Sequence, residues 1–147
     1  MNKWIIMGRV VADIDESKDV RYTTGDNATC ITNFRIAVDK NYKNKNNPDA
    51  PNADFFRMVC FGKTGEFAKN YLHKGTKILV EARVENANYK DAEGNMVYRD
   101  QYIADKIEFA ESKKAAEANG VSTSTPPAND GGMFVVPDGL EGDLPWN

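Results

Sequence analysis

Ten residues constrain this chain more than any others: Asp54-Phe-Phe-Arg-Met-Val-Cys-Phe-Gly-Lys63. Side chains of a strand alternate faces, so Phe55, Arg57, Val59 and Phe61 share one side and Phe56, Met58 and Cys60 the other. Both sides then carry large apolar groups, whereas a strand with one solvated face alternates apolar with polar. Such a strand is either buried on both sides or offers aromatic rings to a ligand. Arg57 and the closing Lys63 favour the ligand, because rings interleaved with cations suit a partner with π-faces and a charged backbone. Single-stranded nucleic acid has both.

The rest of the chain supplies neighbours for that strand. Trp4 to Ile14 is rich in Ile and Val and reads as a first strand, with Gly8 marking a bulge or tight bend. Asp15 to Asn27 is polar and ends in the turn residues Thr24-Gly-Asp-Asn27. Cys30 to Asp39 alternates, with Phe34, Ile36 and Val38 on one face and Asn33, Arg35, Ala37 and Asp39 on the other, and predicts a half-buried second strand. Asn41 to Ala53 holds two prolines and five asparagines and predicts a long exposed loop. Loops of this length inside compact domains are usually functional, and this one carries Tyr42 between Lys40 and Lys43 at its root.

After the third strand, the ten residues above, Thr64 is placed to cap a helix of about two turns. Its apolar face is Phe67, Ala68, Tyr71 and Leu72, and Gly75 ends it. Thr76 to Tyr89 predicts a fourth strand with Ile78, Val80, Ala82 and Val84 on one face. Asp91 to Asn95 is a turn, and Val97 to Phe109 predicts a fifth strand paired with the fourth.

Composition then shifts. All 19 Lys and Arg residues lie between Lys3 and Lys114 with 17 of the 22 acidic residues, which leaves residues 1–114 at +2 and residues 115–147 at −5. The overall charge of −3 therefore hides a mildly basic body and an acidic tail. Residues 112–119 are mostly Lys, Ala and Glu and residues 120–132 mostly Ser, Thr, Pro, Asn and Gly, ahead of a short apolar run, Met133-Phe-Val-Val136, so 112–137 stand between body and tip. Residues 112–137 are expected to be a disordered linker, because 112–132 bury too little apolar surface to offset their ordering entropy. The tip 138–147 is acidic and ends in Leu144, Pro145 and Trp146, arranged as a tethered ligand for something else.

Cys30 and Cys60 lack metal spacing and His73 is the single histidine, so no metal or other cofactor is expected and the cysteines read as small buried hydrophobes. No signal-like or membrane-spanning run is present in the sequence, and a cytoplasmic location is the expectation.

Three strands, a helix and a two-stranded hairpin is the element order of the all-β OB-fold, a five-stranded partly open barrel with one short helix between strands three and four. Four blocks carry a closer resemblance: Asn2-Lys-Trp-Ile-Ile-Met-Gly-Arg9, Asn33-Phe-Arg-Ile-Ala-Val38, Asp54 to Lys63 and Tyr71-Leu-His-Lys-Gly75. In order and spacing they resemble the bacterial single-stranded DNA-binding protein family. The resemblance covers residues 1 to about 110, and the linker with its acidic tip follows the family's layout.

The resemblance implies base stacking on Tyr42, Phe55, Phe61 and Tyr89, and phosphate contacts from Arg35, Lys43, Arg57, Lys63, Lys74 and Arg83. Read alone, Phe55 and Phe61 fit a barrel core as well as a platform. It further implies a homotetramer and recruitment of replication and repair proteins through Asp143, Leu144, Pro145, Trp146 and Asn147. The tip departs from the family's usual run of acids before Pro-Phe: only Asp143 directly precedes Leu144, and Asn147 follows the aromatic.

Two other functions share some of these features. An OB-fold that recognises RNA or a protein surface would share the body. A nuclease would need clustered carboxylates or a base with a nucleophile, and Asp13, Asp15, Glu16 and Asp19 lie in a solvated turn with no such partner, so no enzyme is expected.

Overall fold

The alternation in the second predicted strand survives as β3 (Cys30–Asp39), where Phe34 and Ile36 are buried and Arg35 is exposed. The computed structural model describes residues 1–43, 45–118 and 120. Before β3 come β1 (Trp4–Val10) and β2 (Val20–Tyr22); after it come β4 (Ala53–Phe61), α1 (Gly62–Tyr71), β5 (Lys77–Asn86), β6 (Tyr89–Lys90), β7 (Met96–Val97), β8 (Asp100–Phe109) and α2 (Lys113–Ala118).

The main sheet runs β1-β5-β8-β4-β3-β2, and β1 also pairs with β3, which closes β1, β5, β8, β4 and β3 into a barrel. Among the described residues, only β4 and β8 are parallel neighbours. The closing seam is short, Arg9 opposite Ala37 and Val10 opposite Ile36. Gly8 sits beside it because a Cβ there would meet the Ala37 carbonyl oxygen at 2.3 Å. Among the described residues, Trp4–Gly8 pairs with β5 on one edge and with no strand on the other. This is the OB-fold: five long strands in a partly open barrel, with α1 between β4 and β5.

The core fills from the faces that parity selects. Ile6 and Val10 of β1, Phe34 and Ile36 of β3, Met58 and Cys60 of β4, and Ile78 and Val80 of β5 meet Ala68 of α1 and the adjoining Leu72. Burying such side chains contributes about 1.5 to 3 kcal/mol each, so this inner surface dominates the stability of the domain. Helix α1 lies close on β3 and β4: a Cβ on Gly65 would meet the Cys30 carbonyl oxygen at 2.8 Å, and the buried Thr32 hydroxyl donates to the Gly65 carbonyl at 2.8 Å. Both cysteines are free and buried, as expected, and burial together with the nearby Cys30 pushes the Cys60 thiol up to about 12. At one end Trp4, Phe56 and Tyr102 pack together, with ring centroids 4.8 Å to 5.9 Å apart. Trp4 therefore completes the core.

Five local expectations need correction. Strand β2 stands where polar sequence predicts only turns, because three residues are enough to pair with Cys30–Thr32. Thr64 does not cap the helix; α1 begins earlier, at Gly62, and the Thr64 hydroxyl donates to the Asp105 carbonyl at 3.2 Å. The helix also stops at Tyr71, short of Gly75. The fifth predicted strand divides into β7, which pairs with β6 in a separate hairpin, and β8 in the barrel. The expected linker begins with α2, which its Lys, Ala and Glu composition favours. Residues 119 and 121–137 of that linker and the tip with Asp143 to Asn147 lie outside the described residues.

Candidate nucleic-acid interface

Strand β4 decides where a ligand can lie. Its inner residues Met58 and Cys60 are fully buried, while Phe55 and Phe61 on its outer face remain 50% and 39% exposed. Val59, on the same outer face, is covered by Ile31 of β3 and Ile103 of β8 in a small apolar cluster of its own. The strand thus combines both sequence readings: core on one face, and on the other a flat floor flanked by two rings. Phe55 and Phe61 are six residue steps apart, roughly 20 Å along an extended strand.

Strand register sets cations beside those rings. Opposite residues of an antiparallel pair share a face, so Arg35 opposite Arg57, Ala37 opposite Phe55, and Ile31 opposite Phe61 build one surface. The Arg35 guanidinium lies 5.9 Å from the centre of the Phe55 ring. Two arginines side by side repel each other, and among the described residues neither has a carboxylate partner. An anionic ligand would relieve that repulsion. The pair opens into a groove of about 400 Å³ with Asp13, Asp19 and Asn33 on its wall. Each of those carboxylates accepts a backbone amide, Asp13 from Lys74 at 2.9 Å and Asp19 from Asp15 at 3.0 Å. They hold the loops that frame the groove.

The other predicted residues fall around this centre. Tyr42 and Lys43 are exposed in the connection after β3, and Tyr42 is more open than Tyr89. Tyr89 is half exposed in the β6–β7 hairpin. Because β4 and β8 are parallel, the loop before β4 and the hairpin before β8 leave the barrel at the same end. Lys63 lies at the opposite end of β4, exposed in the first turn of α1. Lys74 is exposed in the α1–β5 connection, tied to the groove through Asp13.

Arg83 differs from the rest. It is opposite Ile103 and so shares the outer face. Its guanidinium, however, is engaged by Glu85 at 2.8 Å and by Asp105, and the Glu85 hydrogen bond leads in raising its pKa. Lys3, Arg9 and Lys106 are likewise paired with Glu81, Glu111 and Glu108. Among the described residues Lys3, Arg9, Arg83 and Lys106 are thus neutralised around β1, β5 and β8, whereas Arg35 and Arg57 have no carboxylate partner across β3 and β4.

Sequence reasoning missed two exposed groups near this surface. Arg21 on β2 lies opposite Ile31, and Tyr98 follows β7 with 79% of its surface exposed. The alternation Val20-Arg21-Tyr22 before the Thr24–Asn27 turn was the available signal for the first, although three residues scarcely establish a period. Among the described residues no group of three or more His, Cys, Asp or Glu side chains is arranged to hold a metal, and no helix is long and apolar enough to cross a membrane.

Residues 1–110 match the family described as the single-strand binding protein family. A single-stranded DNA-binding protein of Thermotoga maritima is 39% identical over 115 residues, covering 78% of this chain and 77% of its own length. One of Fusobacterium nucleatum is 32% identical over 123 residues, covering 84% and 75%. Single-stranded DNA-binding protein 3 of Clostridium acetobutylicum is 26% identical over 152 residues and is covered over 100% of its length. The match takes in every strand of the barrel together with the outer face of β4, and this chain belongs to the single-strand binding protein family.

Proposed function

We propose that this chain binds single-stranded DNA without reading its sequence, stacking bases on Tyr42, Phe55, Phe61 and Tyr89. The observation that carries this reading is the outer face of β4: two half-exposed rings beside the unpaired Arg35 and Arg57, on a strand whose other face is core. A solvated aromatic on a packed strand contributes little to folding and presents a π-face that any base can use. Arg35, Lys43, Arg57, Lys63 and Lys74 neutralise phosphates, and Arg83 contributes least because its charge is committed to Glu85 and Asp105. Duplex DNA, with its base faces hidden in the stack, binds poorly.

Anisotropy of a labelled oligothymidine, with duplex of equal length as competitor, tests the reading. Tight, salt-sensitive binding that excess duplex does not displace is expected. No binding at low salt would overturn it and turn attention to RNA or protein ligands.

Three further parts of the proposal are separable. The chain assembles as a homotetramer, supported by the exposed Ile5 and Met7 on the outer face of β1, opposite Glu81 and Leu79. Sedimentation of the full chain tests this, and a monomer would refute it. The binding domain spans residues 1–111, and 112–137 tether a tip that recruits replication, recombination and repair proteins. Deleting residues 143–147 should abolish capture of such a partner and leave DNA affinity intact; unchanged capture would refute the tip's role. The protein acts as a binder in the cytoplasm, with no chemistry of its own.

A further inference from the structure

Strand β2 adds a cation to the interface that neither parity nor family likeness selected. Arg21 is opposite Ile31, and Ile31 is opposite Phe61, so the three form one row across β2, β3 and β4. Two strand spacings put the Arg21 and Phe61 backbones roughly 10 Å apart, a gap the long Arg21 stem can shorten. Arg21 is exposed, and among the described residues no carboxylate pairs with it. In this it resembles Arg35 and Arg57 and differs from Arg83.

The strand beneath Arg21 is held from behind. Tyr22 points to the opposite face, where the Lys69 ammonium of α1 donates to its hydroxyl at 3.2 Å and lies 5.8 Å from its ring centre. Glu16 approaches the same ammonium at 3.8 Å. The turn that follows is pinned by Thr23 and Thr29, whose backbone and hydroxyl groups exchange hydrogen bonds at 3.0 Å and 2.8 Å. A short edge strand would otherwise fray. Fastened to the helix, it presents Arg21 at a set position, which lowers the ordering cost of a contact there.

We infer that Arg21 binds a phosphate of the strand next to the base stacked on Phe61, carrying the phosphate track from β4 over β3 and onto β2. This rests on the single-strand reading above. A guanidinium offers forked donors that match phosphate oxygens, and Ile31 between the two residues is packed against Val59 and Ile103, so the row beneath Arg21 is firmly held.

The test is a salt series with an oligothymidine short enough to engage one subunit, comparing wild type, Arg21→Ala, Arg21→Gln and Phe55→Ala. Loss of one phosphate contact should make the slope of log K against log salt shallower by about 0.7, and weaken binding about fivefold at 0.1 M salt. Arg21→Gln keeps a polar stem and loses only charge, so it should show the same loss, with both variants melting like wild type. Phe55→Ala should weaken binding and leave the slope unchanged. Wild-type slope and affinity in Arg21→Ala and Arg21→Gln would overturn the inference while the single-strand reading stands. Failure of the wild type itself to bind would overturn both.

Discussion

Replacing Gly8 with alanine tests the barrel seam and, through it, the binding face. The added Cβ would meet the Ala37 carbonyl oxygen at 2.3 Å and Ile36 Cγ1 at 2.9 Å, against ordinary contact at 3.4 Å or more. The obstructing atom is backbone, so β1 and β3 must separate by about 1 Å, an overpacking strain of about 1 to 3 kcal/mol. A shift of that size stretches the bond from the Val11 amide to the Arg35 carbonyl, 2.9 Å in the wild type, beyond useful range. Adding about 1 kcal/mol for that loss gives a destabilisation of roughly 2 to 4 kcal/mol. At about 4 °C per kcal/mol for a domain of this size, the melting temperature should fall by roughly 8 to 16 °C. Circular dichroism at fixed protein concentration measures it, with Gly94→Ala as control. Gly94 has φ 85° in an open turn, so its substitution strains only the hairpin. Because Ala37 is opposite Phe55, the displaced seam should also weaken DNA binding. A Gly8→Ala melting temperature within about 3 °C of wild type would refute the reasoning.

Phe55→Ala should weaken oligothymidine binding by roughly 1 to 3 kcal/mol, about 5- to 150-fold, with little change in melting temperature because the ring is half exposed; the reverse pattern would assign Phe55 to the core. Arg57→Ala should flatten the salt slope by about 0.7, while Arg83→Ala leaves it nearly unchanged because Glu85 and Asp105 already neutralise that charge; equal slopes for the two variants would contradict the ion-pair argument. The Cys60 thiol is pushed from 9.0 to about 12 in the folded chain, so the stability it contributes is complete below pH 9 and lost as pH rises from there toward 12. Urea midpoints should therefore fall between pH 9 and 11 more steeply in wild type than in Cys60→Ala, and identical alkaline losses would argue against a buried thiol as the cause.

Much of the fold was legible in the chain because period-two alternation is a local property. Phe34 and Ile36 point inward as the alternation of β3 requires, and parity in β4 sets Met58 and Cys60 on the face opposite Phe55 and Phe61. What parity does not state is which of two apolar faces meets water. Phe56 and Phe55 are adjacent and chemically identical, and only the packing of Trp4 and Tyr102 around Phe56 assigns one to the core and leaves the other open. Thr64 misled for a related reason: its capping chemistry is real, but Gly62, with φ 60°, turns the chain straight from β4 into the helix.

The sequence by itself determined the order of the five long strands and α1, the inward face of β3, the basic body with its acidic tail, and the candidate rings and cations of the interface. Each depends on residue type and short-range spacing, which are written along the chain. Only the tertiary structure decided that Arg83 is neutralised while Arg35 and Arg57 stand free, that Gly8 admits the closing strand, and that β2 brings Arg21 into line with Phe61. Those facts depend on pairings between residues far apart in sequence, and a charge is available to a ligand only if no distant carboxylate reaches it first.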